Sequence, residues 1–290
     1  MIDTPALEQV QCLSTAGFHS MAYWSWAGNS LPGDDGDTPV ICAHGLTRNG
    51  RDFDDLARTL CQTRPVCCPD TVGRGESEWL RDPSLYAIPQ YASDMTTLIA
   101  RMNTSKVDWV GTSMGGLIGL VLAAMPGSPL RRLVINDIGP TIPQAALDRI
   151  GDYLGMDWVY DRFEEAVMHT KTVHAPFGDL TDDQWRHLAQ HGFRKRDDGK
   201  YVPNHDRRLG EAFKTLKEAD IDLWPMFEAI DCPVLVVRGA ESDLLTEQIA
   251  DDMVKRGKNI QIVTFDGCGH APPFMEDDQI DAVQSFLAGS

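Results

Sequence analysis

Five residues, Gly111-Thr112-Ser113-Met114-Gly115, constrain this chain more than any other stretch. The pattern G-x-S-x-G marks a sharp turn between a strand and a helix that lifts a serine hydroxyl out of a sheet. The flanks suit that turn. Lys106-Val107-Asp108-Trp109-Val110 is short and apolar-rich, as a buried strand should be, and Leu117 to Met125 is apolar enough for a buried helix that Pro126-Gly127 stops. Such a turn drives Ser113 toward positive φ, a strained conformation for a residue with a Cβ. Glycines at 111 and 115 leave room for the tight backbone, and Gly116 lets the helix pack closely. By chance the pattern occurs in roughly one chain of this length in ten, so its weight comes from context. A phosphate-binding turn is disfavoured, because neither G-x-G-x-x-G nor G-x-x-x-x-G-K-[ST] is present.

The rest of the chain alternates strand and helix patterns. Glu8 to Ser14, Ser20 to Trp26, Pro39 to Ala43, Val66 to Cys68, residues 106–110, Leu133 to Asn136, Pro233 to Val237 and Ile260 to Phe265 read as strands. Helices are expected over Gly50 to Gln62, Pro89 to Met102, Thr246 to Lys255 and Asp277 to Leu287, and a turn over Leu31 to Thr38. This alternation implies a doubly wound, mostly parallel α/β sheet. Residues 141–230 break the rhythm with helical patterns, many aromatics and no good buried strand. We read them as a helical cap inserted into a core formed by residues 1–140 and 231–290. Most of the aromatics form the cap's own core, and a few line an apolar pocket against the sheet.

The 290 residues are 42% hydrophobic and carry a net charge of −17. A basic face for nucleic acid is therefore not expected, nor is attraction to anionic membranes. The start Met1-Ile2-Asp3-Thr4-Pro5 lacks the basic and apolar regions of a signal peptide, and no run is long enough to span a bilayer. The seven cysteines follow no disulfide spacing and form no C-x-x-C pair. They read as reduced, small apolar residues of a cytoplasmic protein, with no zinc site.

A serine hydroxyl needs a general base within hydrogen-bond reach, and that base needs an orienting carboxylate. His270, in the loop Asp266-Gly267-Cys268-Gly269-His270 after the last strand, is the best-placed base. Asp243, in Arg238-Gly239-Ala240-Glu241-Ser242-Asp243, is the carboxylate favoured by position. Asp137 also ends a strand and is the alternative acid or a substrate contact, with Glu241 third. Cys268 and Ser242 sit beside these residues but outside any such turn and read as loop residues.

With these pieces the chain resembles the α/β-hydrolase superfamily over nearly its whole length. The matching segments are His44-Gly45-Leu46, the run Asp70-Thr71-Val72-Gly73-Arg74-Gly75-Glu76-Ser77, the Ser113 turn, Asp243 and His270. The resemblance implies an oxyanion hole made by the backbone N–H groups of Leu46 and Met114, a loop-shaping His44, and no metal or organic cofactor. It also implies a small-molecule substrate. A serine nucleophile implies acyl-enzyme chemistry, and a carboxylic-ester hydrolase of small to medium acyl substrates is the expectation. Hydrolysis of C–C bonds in ring-cleavage products is an alternative, but Ala271 stands where those enzymes have tryptophan and Thr112 where they have asparagine. Lactone or hydroxyalkanoate-oligomer hydrolysis is a second alternative. A ligand-sensing receptor that keeps the three residues is a third.

Overall fold

In the computed structural model the described residues are 4–26, 38–213 and 222–289. Most of the expected 31–38 turn, and residues 214–221 of the expected cap, lie outside them. The chain runs through β1 (Ala6–Ser14), β2 (Gly17–Ser25), β3 (Val40–Ala43), α1 (Asp54–Leu60), β4 (Val66–Pro69), α2 (Ile88–Arg101), β5 (Val107–Thr112), α3 (Met114–Ala124) and β6 (Leu130–Asn136). It continues through α4 (Gln144–Tyr153), α5 (Phe163–Val173), α6 (Asp182–Gly192), β7 (Phe193–Lys195), β8 (Tyr201–Pro203), α7 (Leu209–Phe213) and α8 (Trp224–Ala229). The last elements are β9 (Val234–Gly239), α9 (Glu247–Arg256), β10 (Ile260–Phe265) and α10 (Asp277–Ala288).

Eight strands form one sheet in the order β1-β2-β4-β3-β5-β6-β9-β10. The first pairings, β1 with β2 and β2 with β4, are antiparallel, and the rest are parallel. The central strands are continuous apolar runs because both faces are covered. Along β6, Leu133 and Ile135 enter one core and Val134 the other; along β9, Val234 and Val236 alternate with Leu235 and Val237 in the same way. All seven are buried, and each such side chain contributes about 1.5–3 kcal/mol.

Two local differences from the sequence expectations have clear causes. The helix expected from Gly50 begins as a 3-10 turn over Gly50–Phe53, where Asn49 caps the Arg51 amide and the Asp70 carboxylate holds the Gly50 amide at 2.7 Å. The second difference is the antiparallel pair β7–β8 in a region where no strand was expected. Its strands have three residues each, too short to show a period, and they are extended by bridges from Tyr201 to Tyr160 and from His205 to Arg74.

Parallel strands deliver their carboxyl ends to one edge of the sheet, where ligands bind in such folds. The loops after β3, β5, β6, β9 and β10 meet there. The described segments between β6 and β9 stand over this edge: residues of α4, α6 and α7 share a cavity with Ser113 and His270.

Candidate active site

Ser113 has φ 52° and ψ −114° at the junction of β5 and α3. The surroundings impose that turn. A Cβ on Gly111 would lie 2.2 Å from the Gly115 carbonyl oxygen, and one on Gly115 would lie 1.9 Å from that of Ala43. Both positions therefore require glycine, and α3 presses directly on β3. Trp109 Nε1 donates to the Gly115 carbonyl at 2.9 Å and Ser113 N to that of Asn136 at 2.9 Å, so both flanks are fixed.

His270 Nε2 lies 2.9 Å from Ser113 Oγ, and His270 Nδ1 lies 2.9 Å from Asp137 Oδ2. These contacts form one chain from serine to carboxylate. Asp137 is fully buried at the end of β6. It also accepts from Gly239 N at 2.8 Å and from Ser242 Oγ at 2.5 Å. Three donors thus satisfy the charge, as a buried carboxylate requires.

Asp243, the carboxylate favoured by the sequence, is not in this chain. Its side chain is 49% exposed and takes a bidentate pair from Arg149 of α4, at 2.7 and 2.9 Å. The loop after β9 turns Ser242 inward and Asp243 outward. The expectation is corrected accordingly: the carboxylate beside His270 is Asp137, the alternative. Two strand ends compete for one position, and the Ser242 hydroxyl and Gly239 amide hold the acid that comes from β6. Glu241 is also apart, its carbonyl close to Gly269.

A cavity of about 730 Å³ opens over Ser113 and His270. Its walls are mostly apolar, with Ile138, Ile142, Leu147, Ile150, Leu188, Leu209 and Leu244 prominent, and Tyr153, Phe177 and Phe213 its aromatic members from the 141–230 region. The other aromatics there pack elsewhere: Trp185 with Leu188 and Val167, and Phe227 under the sheet core.

Residues 40–283 match the model of the alpha/beta hydrolase family. The chain belongs to that family. It is 47% identical to a 3-hydroxybutyrate-oligomer hydrolase of Cupriavidus necator, over the full length of both chains. It is 27% identical to an esterase of Mycobacterium tuberculosis, covering 98% of this chain and 89% of the other. Among solved structures it is similar to an alpha/beta hydrolase from Novosphingobium aromaticivorans, with a TM-score of 0.86, 31% identity and coverage of 98% and 99%.

Within this family frame, the loops after β3 and β4 support the serine. His44 is buried; its Nδ1 donates to the Gly45 carbonyl at 2.7 Å and its Nε2 accepts from Thr71 N at 2.8 Å. That pattern needs a neutral imidazole, and burial pushes its pKa down to about 3. His44 is a clamp between two loops, as the resemblance implied. A Cβ on Gly45 would lie 3.8 Å from that of Ser113, so the Gly45-Leu46 backbone runs beside the serine. Met114 N–H belongs to the first turn of α3, whose amides have no partner within the helix.

Arg74 was not assigned a role from the sequence. It is fully buried and does not line the cavity. Its guanidinium donates to the Leu46 carbonyl at 2.8 Å, the Val72 carbonyl at 2.7 Å and Tyr91 Oη at 3.0 Å, and it reaches Met114 Sδ at 3.4 Å. Among the described residues no carboxylate pairs with it. It therefore touches both residues whose amides are expected to form the oxyanion hole. The run 70–77 supplies the signal, but only packing shows what the arginine grips. Trp79, in the same loop, is 41% exposed and lies under the Arg194 guanidinium.

His174 lines the cavity with its ring tilted against that of Phe177, and burial with nearby Arg48 and His169 pushes its pKa well down. His169 accepts or donates a 2.8 Å hydrogen bond with Tyr160 Oη and borders a small adjoining space of about 40 Å³. Cys268 sits beside His270 with its thiol pushed up to about 11 by burial, which makes it a poor nucleophile. All seven cysteines are free thiols. Among the described residues two groups could hold a metal ion, Cys12-His19-Asp94 and Asp54-His187-His191. Neither lines the cavity, and Arg51 already bonds both Asp54 oxygens. Among the described residues no helix is long and apolar enough to cross a membrane.

Proposed function

We propose that this protein hydrolyses carboxylic esters through Ser113, His270 and Asp137, and that short hydroxyalkanoate oligomers are its substrate class. The observation that carries the proposal is the continuous chain Ser113 Oγ–His270 Nε2 and His270 Nδ1–Asp137. Ser113 attacks the ester carbonyl while His270 takes its proton. The leaving alkoxide receives that proton from His270, and an acyl-serine remains. Water then gives a proton to His270 as it attacks the acyl carbon, the acyl–Oγ bond breaks, His270 returns that proton to Ser113, and the acid leaves. Asp137 holds the imidazole in the tautomer with a free Nε2 and stabilises the imidazolium. The amides of Leu46 and Met114 serve as the oxyanion hole, each donor worth about 3 kcal/mol of barrier. Residues 141–230 act as the cap whose inner face shapes the acyl and alcohol sites.

The oligomer reading draws on the Cupriavidus necator relative, whose name specifies 3-hydroxybutyrate oligomers. The cavity suits it, being apolar and of the size expected for a small-molecule site. The test is turnover of p-nitrophenyl butyrate and of the linear 3-hydroxybutyrate dimer by wild type and Ser113→Ala. The variant should lose at least several thousand-fold on both substrates. Near wild-type turnover would refute the assignment of Ser113, and an enzyme inert toward the dimer would refute the oligomer class.

A further inference from the structure

We propose that Arg149 is the binding group for the free carboxylate of an acidic ester substrate, and that Asp243 is an internal competitor for it. This inference rests on the hydroxyalkanoate-oligomer reading. In a linear oligomer of a hydroxyacid, every ester bond has the free hydroxyl end on its acyl side. The free carboxylate is always on the side of the leaving alcohol. An enzyme that positions such an ester over Ser113 must accommodate an anion on that side. The chain's net charge of −17 opposes that approach.

Charged side chains around the cavity answer this differently. Arg48 is buried and committed, with two bonds to Asp52 and one to the Leu188 carbonyl. Asp82 is turned to its own turn, accepting from Ser84, and Glu211 adds negative charge. Arg149 alone among the described lining residues is a half-exposed cation, 41% accessible, on the inner side of α4 with Leu147, Ile150 and Tyr153. Its guanidinium already holds a carboxylate in a two-point fork, that of Asp243 at 2.7 and 2.9 Å. The pair shows that a carboxylate fits there. Both partners are solvent-accessible, so exchanging Asp243 for a substrate carboxylate swaps one charge-assisted pair for another at little desolvation cost.

The reaction itself is unchanged. The Ser113 Oγ–acyl bond forms, the ester C–O bond breaks, and His270 passes the proton to the departing alkoxide. The alcohol product leaves with its carboxylate, so Arg149 acts on binding and acylation only. The acyl-serine that water later cleaves carries no carboxylate.

The test compares kcat/KM for the linear 3-hydroxybutyrate dimer with that for its terminal carboxamide, which is neutral and of the same shape. Wild type should prefer the acid. Arg149→Gln should lower the acid-to-amide ratio about tenfold, the usual worth of a hydrogen-bonded charge, and Arg149→Lys should recover part of it. Asp243→Asn should raise the ratio several-fold by removing the competitor, a rough magnitude for a half-exposed pair. Single-turnover deacylation should be equal for acid and amide in every variant. If Arg149→Gln leaves the ratio unmoved, or if both single variants shift it downward together, the pair is only a strut between α4 and the β9 loop and the inference fails. A wild type that cleaves both dimers with a ratio of one refutes this inference but keeps the oligomer reading. One that cleaves p-nitrophenyl butyrate but neither dimer refutes both.

Discussion

Replacing Asp137 by asparagine should abolish most activity, while the same change at Asp243 should not. Asp137 is fully buried and accepts three hydrogen bonds, from His270 Nδ1 at 2.9 Å, Ser242 Oγ at 2.5 Å and Gly239 N at 2.8 Å. In Asp137→Asn the amide oxygen can still accept from the Gly239 amide, which turns the NH2 group toward His270 Nδ1. The imidazole must then accept at Nδ1 and carry its proton on Nε2. In that tautomer Nε2 cannot take the Ser113 proton. The imidazolium of the transition state also loses its counter-charge. Comparable aspartate-to-asparagine changes in serine hydrolases cost about 10⁴ in kcat, or about 5 kcal/mol at 1.36 kcal/mol per decade. Initial rates on p-nitrophenyl butyrate, with thermal melts to verify folding, read this out. Asp243→Asn should lose less than roughly tenfold on that neutral ester, because its carboxylate pairs with Arg149 in an exposed contact. A thousand-fold loss in Asp243→Asn beside a small loss in Asp137→Asn would refute the assignment of the acid.

Three further outcomes follow from the supporting residues. Arg74→Met should reduce kcat on p-nitrophenyl butyrate by about tenfold to a hundredfold with KM little changed, since it removes the grip on Leu46 and Met114, the two residues proposed to supply the oxyanion hole; Arg74→Lys should recover part of the loss. Gly115→Ala should destabilise the fold by about 3 kcal/mol or more, measured by denaturant melts, because its Cβ would lie 1.9 Å from the Ala43 carbonyl oxygen. His44, with a folded pKa near 3 against an ordinary 6.5, binds its proton more readily in the unfolded chain. Its contribution is therefore intact above about pH 6.5 and is lost at about 1.4 kcal/mol per pH unit as pH falls toward 3. Asp70, pushed up to about 7 by burial, has the opposite sign: its contribution is fullest below about pH 4 and is lost as pH rises through 7. Comparing wild type with His44→Gln at pH 7 and pH 5 isolates the histidine, and the wild type should show the larger loss at pH 5.

Much of this organisation was legible in the chain. The strands are buried apolar runs ended by turn residues, and the Ser113 turn announces itself through two glycines that no other residue could replace. His270 was legible because it directly follows the last strand and its glycine-rich loop. The acid was not, and the reason is geometric. Asp137 and Asp243 both follow parallel strands that end at one edge of the sheet. One residue of turn decides which side chain points inward. That turn is fixed by Ser242 bonding Asp137 and by Gly239, whose Cβ would lie 2.2 Å from the Gly269 carbonyl oxygen. Such contacts across 102 and 105 residues leave no local pattern. The same holds for Arg74, whose partners come from four separate segments, and for β7–β8, whose six residues pair only with each other and with single bridges.

The most direct test of the central claim is covalent. A p-nitrophenyl alkylphosphonate transfers its phosphonyl group to an activated serine and stops there. Intact-mass and peptide mass spectrometry should find one adduct per chain, on Ser113, formed at least a hundredfold more slowly in Asp137→Asn than in wild type, an order of magnitude set by the catalytic weight of the acid. No adduct, an adduct on another residue, or equal labelling rates in wild type and Asp137→Asn would contradict the chain Ser113–His270–Asp137.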